Sequence, residues 1–201
     1  RTYSGGSSAT SYTCNEFFNN TFDFYQNLTG LANGSYQLSV QAYCRPGDNG
    51  PAYTNYKNGI NDVTAELYVN NDASRVGNIY AYTGSTSKKQ NTGAWSDDYE
   101  CVVEGGTNYF VPNCMEGASK YFADENVYKT TVAALVEDGN LKIGFRDETL
   151  TSNQWTIFDN FRLYYYGSSK LVYYQQYLPQ LKREAGADIA NALYANGTGK
   201  E

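Results

Sequence analysis

The sequence predicts an all-β fold, an antiparallel β-sandwich followed by a C-terminal α-helical extension. Segments that alternate apolar and polar residues recur along the chain, and no helical period occurs before residue 168. The composition agrees, because 21 Tyr and 19 Gly accompany abundant Asn, Ser and Thr and a single Met. Strands at intervals, without helices between them, favour a sandwich of antiparallel sheets.

The clearest predicted strand covers residues 36–45, YQLSVQAYCR. Its period of two places one set of side chains on a buried face and the other set on a face nearer to solvent. The buried face carries Tyr36, Leu38, Val40, Ala42 and Cys44, and the wetter face carries Gln37, Ser39, Gln41, Tyr43 and Arg45. The Asn33-Gly34 pair just before this strand is a turn signal.

Three further strand signals follow. Residues 64–70, TAELYVN, alternate apolar and polar side chains. Residues 130–146 predict a hairpin, because Asp138-Gly139 suits a tight turn between two β-rich runs. Residues 155–165, WTIFDNFRLYY, predict the last strand.

Residues 168–195 predict a helix, because apolar residues recur every three or four positions. Ser168 or Ser169 could cap its start. Pro179 lies inside the segment, where a proline costs about 3 kcal/mol, so we expect a kink or two shorter helices. We interpret the segment as the first helix of a following domain. The predicted parts are a flexible lead-in (1–13), the sandwich (14–167) and the helical extension (168–201).

Charge and residue counts exclude several kinds of partner and site. The net charge is −6 and the pI about 4.7, whereas a protein that binds nucleic acid needs a basic face. The absence of His removes Ser-His-Asp and Cys-His nucleophilic sites and the usual zinc sites. Carboxylate chemistry and calcium remain open. No apolar run approaches the roughly 20 residues that span a bilayer.

The four cysteines, Cys14, Cys44, Cys101 and Cys114, allow three pairings if all are oxidised. Cys101 and Cys114 are closest in sequence and are the candidates for a disulfide, although spacing alone does not establish the geometry. The alternative is four reduced thiols, in which case Cys44 is a core residue.

Two segments resemble the galactose-binding-like jelly roll. In the run FDFYQNLTGLANGSYQLSVQAYCR, a Gln after an alternating strand and a Gly-containing turn lead to a Tyr-x-Leu-x-Val strand, as in the early half of that fold. These positions are Gln26, Gly34, Tyr36, Leu38 and Val40. The run WTIFDNFRLYYYG resembles the final strand of the fold, and its matching positions are Asp159, Asn160, Phe161 and Leu163.

The resemblance covers about residues 14–167 and implies an antiparallel jelly-roll β-sandwich, to which the period of residues 168–195 adds the C-terminal α-helical extension. It extends to calcium-containing carbohydrate-binding modules attached to xylanases and β-glucanases. Through VPNCMEGASKYF and DGNLKIGF it extends also to β-sandwich modules of secreted and outer-surface proteins of gut Bacteroidetes. It therefore implies a secreted, periplasmic or outer-surface location, a polysaccharide or host glycan as partner, and further domains in the same parent chain.

The resemblance also implies a structural calcium ion. In such modules the Asp that matches Asp159 commonly ligates calcium together with an acid near the first strand, for which Glu16 is the candidate. By parity Asp159 shares a face with Trp155 and Phe161, where an unpaired carboxylate is unfavourable and where Trp155 is expected in the core. Asp159 therefore either holds calcium with Glu16 and backbone carbonyls, or accepts hydrogen bonds from backbone or tyrosine donors without a metal.

Sugar recognition needs flat rings that stack on pyranose faces and planar polar groups for the hydroxyls. Trp95 is the first candidate, because its loop of Gly and Asp residues is a poor place for a core side chain. Tyr53 and Tyr56 lie in a turn-rich segment after Arg45, and Tyr43 and Arg45 share the polar face of the best strand. The alternatives are ordinary packing for the rings and a surface ion pair for Arg45.

Three functions are compatible with these features. The first is a non-catalytic carbohydrate-binding module, and the second is a structural or adhesive spacer without glycan affinity. The third is a small glycoside hydrolase built on the clustered acids Asp97, Asp98, Glu100 and Glu104. Such enzymes need two carboxyl groups that face each other across a cleft, which neighbours on one loop rarely do, so we expect no enzyme.

Overall fold

The computed structural model describes residues 2–7, 10–81, 89–90, 99–104, 106–123 and 126–197. The strands are β1 (Thr2–Ser7), β2 (Thr10–Phe18), β3 (Phe22–Leu28), β4 (Gly34–Arg45), β5 (Glu66–Val69), β6 (Asp72–Arg75), β7 (Gly77–Asn78), β8 (Lys89–Gln90), β9 (Tyr99–Glu104), β10 (Thr107–Pro112), β11 (Lys129–Val136), β12 (Leu141–Asp147) and β13 (Trp155–Tyr165). The helices are α1 (Asn49–Lys57), α2 (Met115–Phe122) and α3 (Lys170–Gly197).

The strands form mostly antiparallel sheets, as predicted, and a C-terminal helix follows them. The main sheet has the order β1-β2-β13-β4-β11, with β7 paired to β4 in parallel. The facing sheet has the order β3-β12-β5-β6, and a small sheet has the order β8-β10-β9. Apolar side chains of the main and facing sheets meet in a first core that includes Leu38, Val40, Leu67 and Phe145, which is consistent with a β-sandwich.

The second face of the main sheet is also buried, which corrects the prediction of a wetter face on β4. Every residue of β4 except Gln37 is buried. On this side Tyr43 and Trp155 pack into a second core with side chains of α1, α2 and the small sheet, such as Ala52 and Tyr121. The core position predicted for Trp155 is therefore confirmed. The helices α1 and α2 and the small sheet form this additional layer. The alternation of side chains along β4 gives no sign that such a layer covers it.

A β-bulge in β13 reverses the face on which its side chains lie. The pairing of β13 with β4 shifts register between Asp159 and Arg162, and Asn160 has a positive φ of 55° within that interval. Phe158 and Phe161 consequently both pack in or against the first core, whereas Ile157 belongs to the second. The expectation that Asp159 shares a face with Phe161 is wrong, because it assumed an unbroken period of two.

The segment 130–146 turns at Asp138-Gly139 but is not a hairpin. Its first strand, β11, pairs with β4 in the main sheet, and its second, β12, pairs with β3 and β5 in the facing sheet. The turn therefore carries the chain from one sheet to the other. Asn33 holds it, because its Nδ2 donates to the carbonyl of Glu137 at 2.7 Å and its Oδ1 accepts from the amide of Gly139 at 3.1 Å.

The N-terminal end of the described chain differs from its prediction, whereas the C-terminal end confirms the predicted helix. Thr2–Ser7 pairs with β2 where a flexible lead-in was expected. The helix α3 runs as one element through Pro179, so the alternative of two shorter helices is wrong. Ser35 anchors its start, because Ser35 Oγ donates to the carbonyl of Ser169 at 2.5 Å and accepts from the amide of Tyr173 at 3.0 Å. Within the described residues, no helix combines the length and apolarity needed to cross a membrane.

Candidate functional site

The side of the facing sheet that points away from the first core carries aromatic and charged side chains in register. This surface, called the outer face, comprises Asp23, Tyr25, Glu66, Tyr68, Lys142, Gly144 and Arg146. Gly144 lies opposite Tyr25 on one side and Tyr68 on the other. Arg146 likewise lies between Asp23 and Glu66. Strand pairing thus assembles residues of three strands that are distant in the sequence.

Gly144 is the floor of the outer face. A Cβ atom at this position would clash with Cζ, Cε1 and Oη of Tyr68, so only glycine allows that side chain to cross the strand. The Tyr68 hydroxyl then reaches β3 and donates to Asp23 Oδ1 at 2.6 Å. Tyr68 is 1% exposed, so its ring supports the surface from below and cannot itself stack against a ligand. The result is a rigid link across three strands.

Tyr25 supplies the exposed ring of the outer face. Its side chain is 54% exposed, and Lys142 Nζ lies 4.1 Å from the ring centroid. The same ammonium lies 3.7 Å from Asp23 Oδ2. Its hydrogen bond with Tyr68 raises the pKa of Lys142 above the ordinary value for lysine. A cation therefore holds the ring in place while much of the ring surface stays open to solvent.

A second ion pair completes the charged part of the surface. Arg146 Nη2 lies 3.2 Å from Glu66 Oε2, and the guanidinium carbon lies 4.9 Å from the centroid of the Tyr68 ring. The outer face therefore offers hydrogen-bond donors and acceptors beside an exposed aromatic ring. That combination suits a polar ligand with one apolar face.

A polar groove adjoins the outer face where β3 ends and β12 begins. It has a volume of about 290 Å³, and its polar lining includes Asn27, Thr29, Asn70, Asn140 and Lys142. Amide and hydroxyl groups can donate and accept at once, as sugar hydroxyls require of their partners. Lys142 belongs to both the groove and the outer face, so the two surfaces are continuous.

The structure buries two of the ligand contacts predicted from β4. Tyr43 is 0% exposed and packs edge-on against Trp155, so it cannot meet a ligand from solvent. Arg45 is 8% exposed, donates from Nε to the carbonyl of Gly47 at 3.0 Å and lies over the Trp155 ring at 5.2 Å. Both predictions assumed that β4 has a solvent face, which the second core removes.

Tyr53 and Tyr56 come together on α1 and not in a loop. Both are half-buried, and their ring centroids lie 5.0 and 5.8 Å from that of Tyr80. The Tyr53 hydroxyl donates to the carbonyl of Val103 at 2.8 Å. These contacts match the packing alternative for the two rings. Trp95 lies outside the described residues, so its role as a sugar platform stays a prediction.

The acids considered for hydrolysis are only partly described. Asp97, Asp98 and the side chain of Glu104 lie outside the described residues. Glu100 Oε2 accepts from the Tyr80 hydroxyl at 3.0 Å, and burial raises the pKa of Glu100. The carboxylate therefore points into the edge of the second core.

Asp159 and Glu16 each lie close enough to Cys14 for their charges to affect its thiol. Burial raises the pKa of Cys14 to about 12, and the charges of Asp159 and Glu16 add to the shift. Asp159 Oδ2 accepts from the Thr13 hydroxyl at 2.9 Å, and Glu16 Oε2 accepts from the indole N–H of Trp155 at 2.8 Å. Calcium takes six to eight oxygen ligands. Among the described residues no cluster of three or more Asp, Glu, Cys or His could hold a metal, so calcium binding stays a prediction without a complete ligand set.

The two buried thiols, Cys14 and Cys44, are poor nucleophiles because burial raises the pKa of each. Cys44 is a core residue, as the reduced alternative predicts, and burial raises its pKa to about 12. The side chain of Cys101 lies outside the described residues, so its pairing with Cys114 stays a prediction.

Sequence reasoning missed the outer face, although part of its signal is present. Asp23 and Tyr25 alternate with Phe22 and Phe24 on β3, although Gln26 interrupts the apolar series there. On β12, Lys142, Gly144 and Arg146 alternate with Leu141, Ile143 and Phe145. The period predicts each polar face separately, but only the pairing register brings them together. Comparison with family models, with characterised proteins and with solved structures finds no match for the chain.

Proposed function

We propose that the chain is a non-catalytic carbohydrate-binding module of a secreted or cell-surface protein, and that a glycan binds on the outer face. The observation that carries the proposal is Tyr25, an exposed ring fixed by Lys142 beside Asp23. A pyranose ring can stack on the open surface of Tyr25, while the charged groups and the amide groove contact its hydroxyls. The resemblance to galactose-binding-like jelly rolls supports this function, and it also supports a jelly-roll order of the strands within the β-sandwich.

The structure offers a reason why such binding needs no large pocket. Pyranose hydroxyls lose water when they bind, so each needs a donor or acceptor already in position. On the outer face Asp23, Glu66, Lys142 and Arg146 are held by ion pairs and by contacts with the Tyr68 ring, and little side-chain freedom remains to be lost. A shallow and preorganised surface of this kind fits internal segments of a polysaccharide.

Affinity electrophoresis against a panel of plant and host polysaccharides tests the proposal. We expect one glycan class to retard the wild-type protein. Tyr25→Ala should weaken binding by about tenfold or more, because one lost stacking contact is worth about 1.5 kcal/mol. Tyr53→Ala and Trp95→Ala, at the positions predicted from the sequence, are the comparison variants. Thermal denaturation verifies that each variant is folded.

The outcomes separate the function from its location. Binding lost in Trp95→Ala but kept in Tyr25→Ala would retain the function and move the site to the segment that contains Trp95. A folded wild-type protein retarded by no glycan would overturn the function. The spacer function would then be favoured, because α3 exposes Leu171, Tyr174 and Leu178 along one side, as a helix that packs against another domain would.

A further inference from the structure

Within the part of the chain that the structure describes, the strand β3 is exposed on both faces and has a partner strand along one edge only. It is the terminal strand of the facing sheet, and its five central residues, 23–27, are all exposed. A sandwich strand normally buries every second residue, yet the inward-facing Phe24 is 55% exposed. The main sheet therefore covers β3 only partly, and among the described residues no strand pairs with its outer edge, so the backbone there can pair with another strand.

The opposite edge of the same sheet is protected in ways that β3 is not. β6 has only four residues with a charge at each end, Asp72 and Arg75, and the Tyr177 hydroxyl of α3 donates to Asp72 at 3.2 Å. β3 has seven residues, FDFYQNL, with no Lys, no Pro and a single charge. Short length, end charges and a covering element are the usual protections of an edge strand against pairing with another chain.

We infer that β3 pairs with β3 of a second copy of this chain, antiparallel and across a two-fold axis at Tyr25. The sequence of the strand is self-complementary in that register. Tyr25 lies opposite its counterpart, Asp23 opposite Asn27, Phe24 opposite Gln26 and Phe22 opposite Leu28. The single charge meets an amide, so like charges do not oppose each other, and an apolar pair closes each end. The two facing sheets become one continuous sheet.

An apolar groove beside β3 gives the second copy a surface to cover. The groove has a volume of about 300 Å³, and its lining includes Phe24, Gln26, Ile143 and Phe161. The inward-facing side chains of the paired strand lie alongside this groove and remove it from water. Pairing also sets two Tyr25 rings side by side, but the inference does not depend on the proposed glycan binding.

Charge changes at Asn27 test this register. Asn27→Asp places two carboxylates opposite each other, twice across the two-fold axis, whereas Asn27→Lys creates two opposite-charge pairs with Asp23. We expect sedimentation velocity of the unglycosylated protein, from low micromolar to near-millimolar concentration, to show a monomer–dimer equilibrium. The dimer should weaken by about tenfold in Asn27→Asp and tighten in Asn27→Lys, and high salt should reduce both effects. Asn20→Asp adds the same charge outside the strand and is the matched control.

Two results would overturn the inference. One is a wild-type protein that stays monomeric over the whole concentration range. The other is a dimer on which Asn27→Asp and Asn20→Asp act equally, which would place the interface elsewhere. Because this readout is the mass of the particle in the absence of sugar, its outcome is independent of whether any glycan binds.

Discussion

The second core and the outer face are both rich in tyrosine but use it in opposite ways. In the second core Tyr121 and Tyr128 are buried, and their hydroxyls donate to backbone carbonyls of Phe110 and Ile79 at 2.6 and 2.7 Å. On the outer face Tyr68 donates to a carboxylate and Tyr25 stands in solvent. The same side chain thus fills a core in one region and forms a surface in the other. The difference lies in what covers the sheet, which residue counts do not reveal.

The largest expected loss of stability comes from a substitution in the second core. Tyr128→Ala removes a buried ring that contacts Tyr43 at a centroid distance of 4.6 Å, and it also removes the hydrogen bond to Ile79. We expect the free energy of unfolding to fall by about 3–5 kcal/mol, as for other buried aromatic residues replaced by Ala. Urea denaturation followed by fluorescence measures the change.

Tyr25→Ala is the matched control on the outer face. Its ring is largely exposed, so we expect a loss of stability below about 1 kcal/mol. Similar losses in the two variants would contradict the contrast between a structural and a surface role for tyrosine in these regions.

The next largest effect is expected at Gly144, which forms the floor of the outer face. Gly144→Ala places a Cβ that clashes with the side chain of Tyr68, so the ring must leave its position and its hydrogen bond to Asp23. We expect a loss of about 1–3 kcal/mol, typical of overpacking, together with weaker glycan retardation because Lys142 and Tyr25 lose their support. Gly186→Ala, in α3 where a Cβ meets nothing, should be neutral or stabilising. A Gly144→Ala protein as stable as Gly186→Ala would contradict this account of the outer face.

The sequence predicts the buried side chains of individual strands but not the features that depend on contacts between distant segments. The period of two predicts the buried side chains of β4 and β5, such as Leu38 and Leu67, because burial on one face leaves a local pattern. It does not predict the bulge at Asn160, which reverses the face of Phe161, or the layer that buries Tyr43. Those features depend on contacts between distant segments. The candidate site was missed for the same reason, since Tyr25, Gly144 and Tyr68 are neighbours only through the pairing of three strands.

The smallest expected effect is the pH dependence of stability that arises from Glu100. This carboxyl group lies at the edge of the second core, whereas the acids of the outer face are ion-paired. Burial raises the pKa of Glu100 above its ordinary value of 4.5, although the Tyr80 hydroxyl and the charge of Arg45 oppose the shift. The folded state therefore keeps this proton at pH values where the unfolded state has released it. The stability that Glu100 contributes is complete below about pH 4.5 and is lost as the pH rises through the raised pKa.

Urea denaturation at a series of pH values, compared between wild type and Glu100→Gln, isolates this contribution, because glutamine is neutral throughout and can still accept from Tyr80. We expect the unfolding free energy of wild type, relative to Glu100→Gln, to fall as the pH rises above 4.5. A difference that stays constant, or that grows with pH, would mean that Glu100 is solvated or ion-paired like the acids of the outer face. In that case the edge of the second core near Tyr80 would be open to water, and Glu100 would resemble the acids of the outer face.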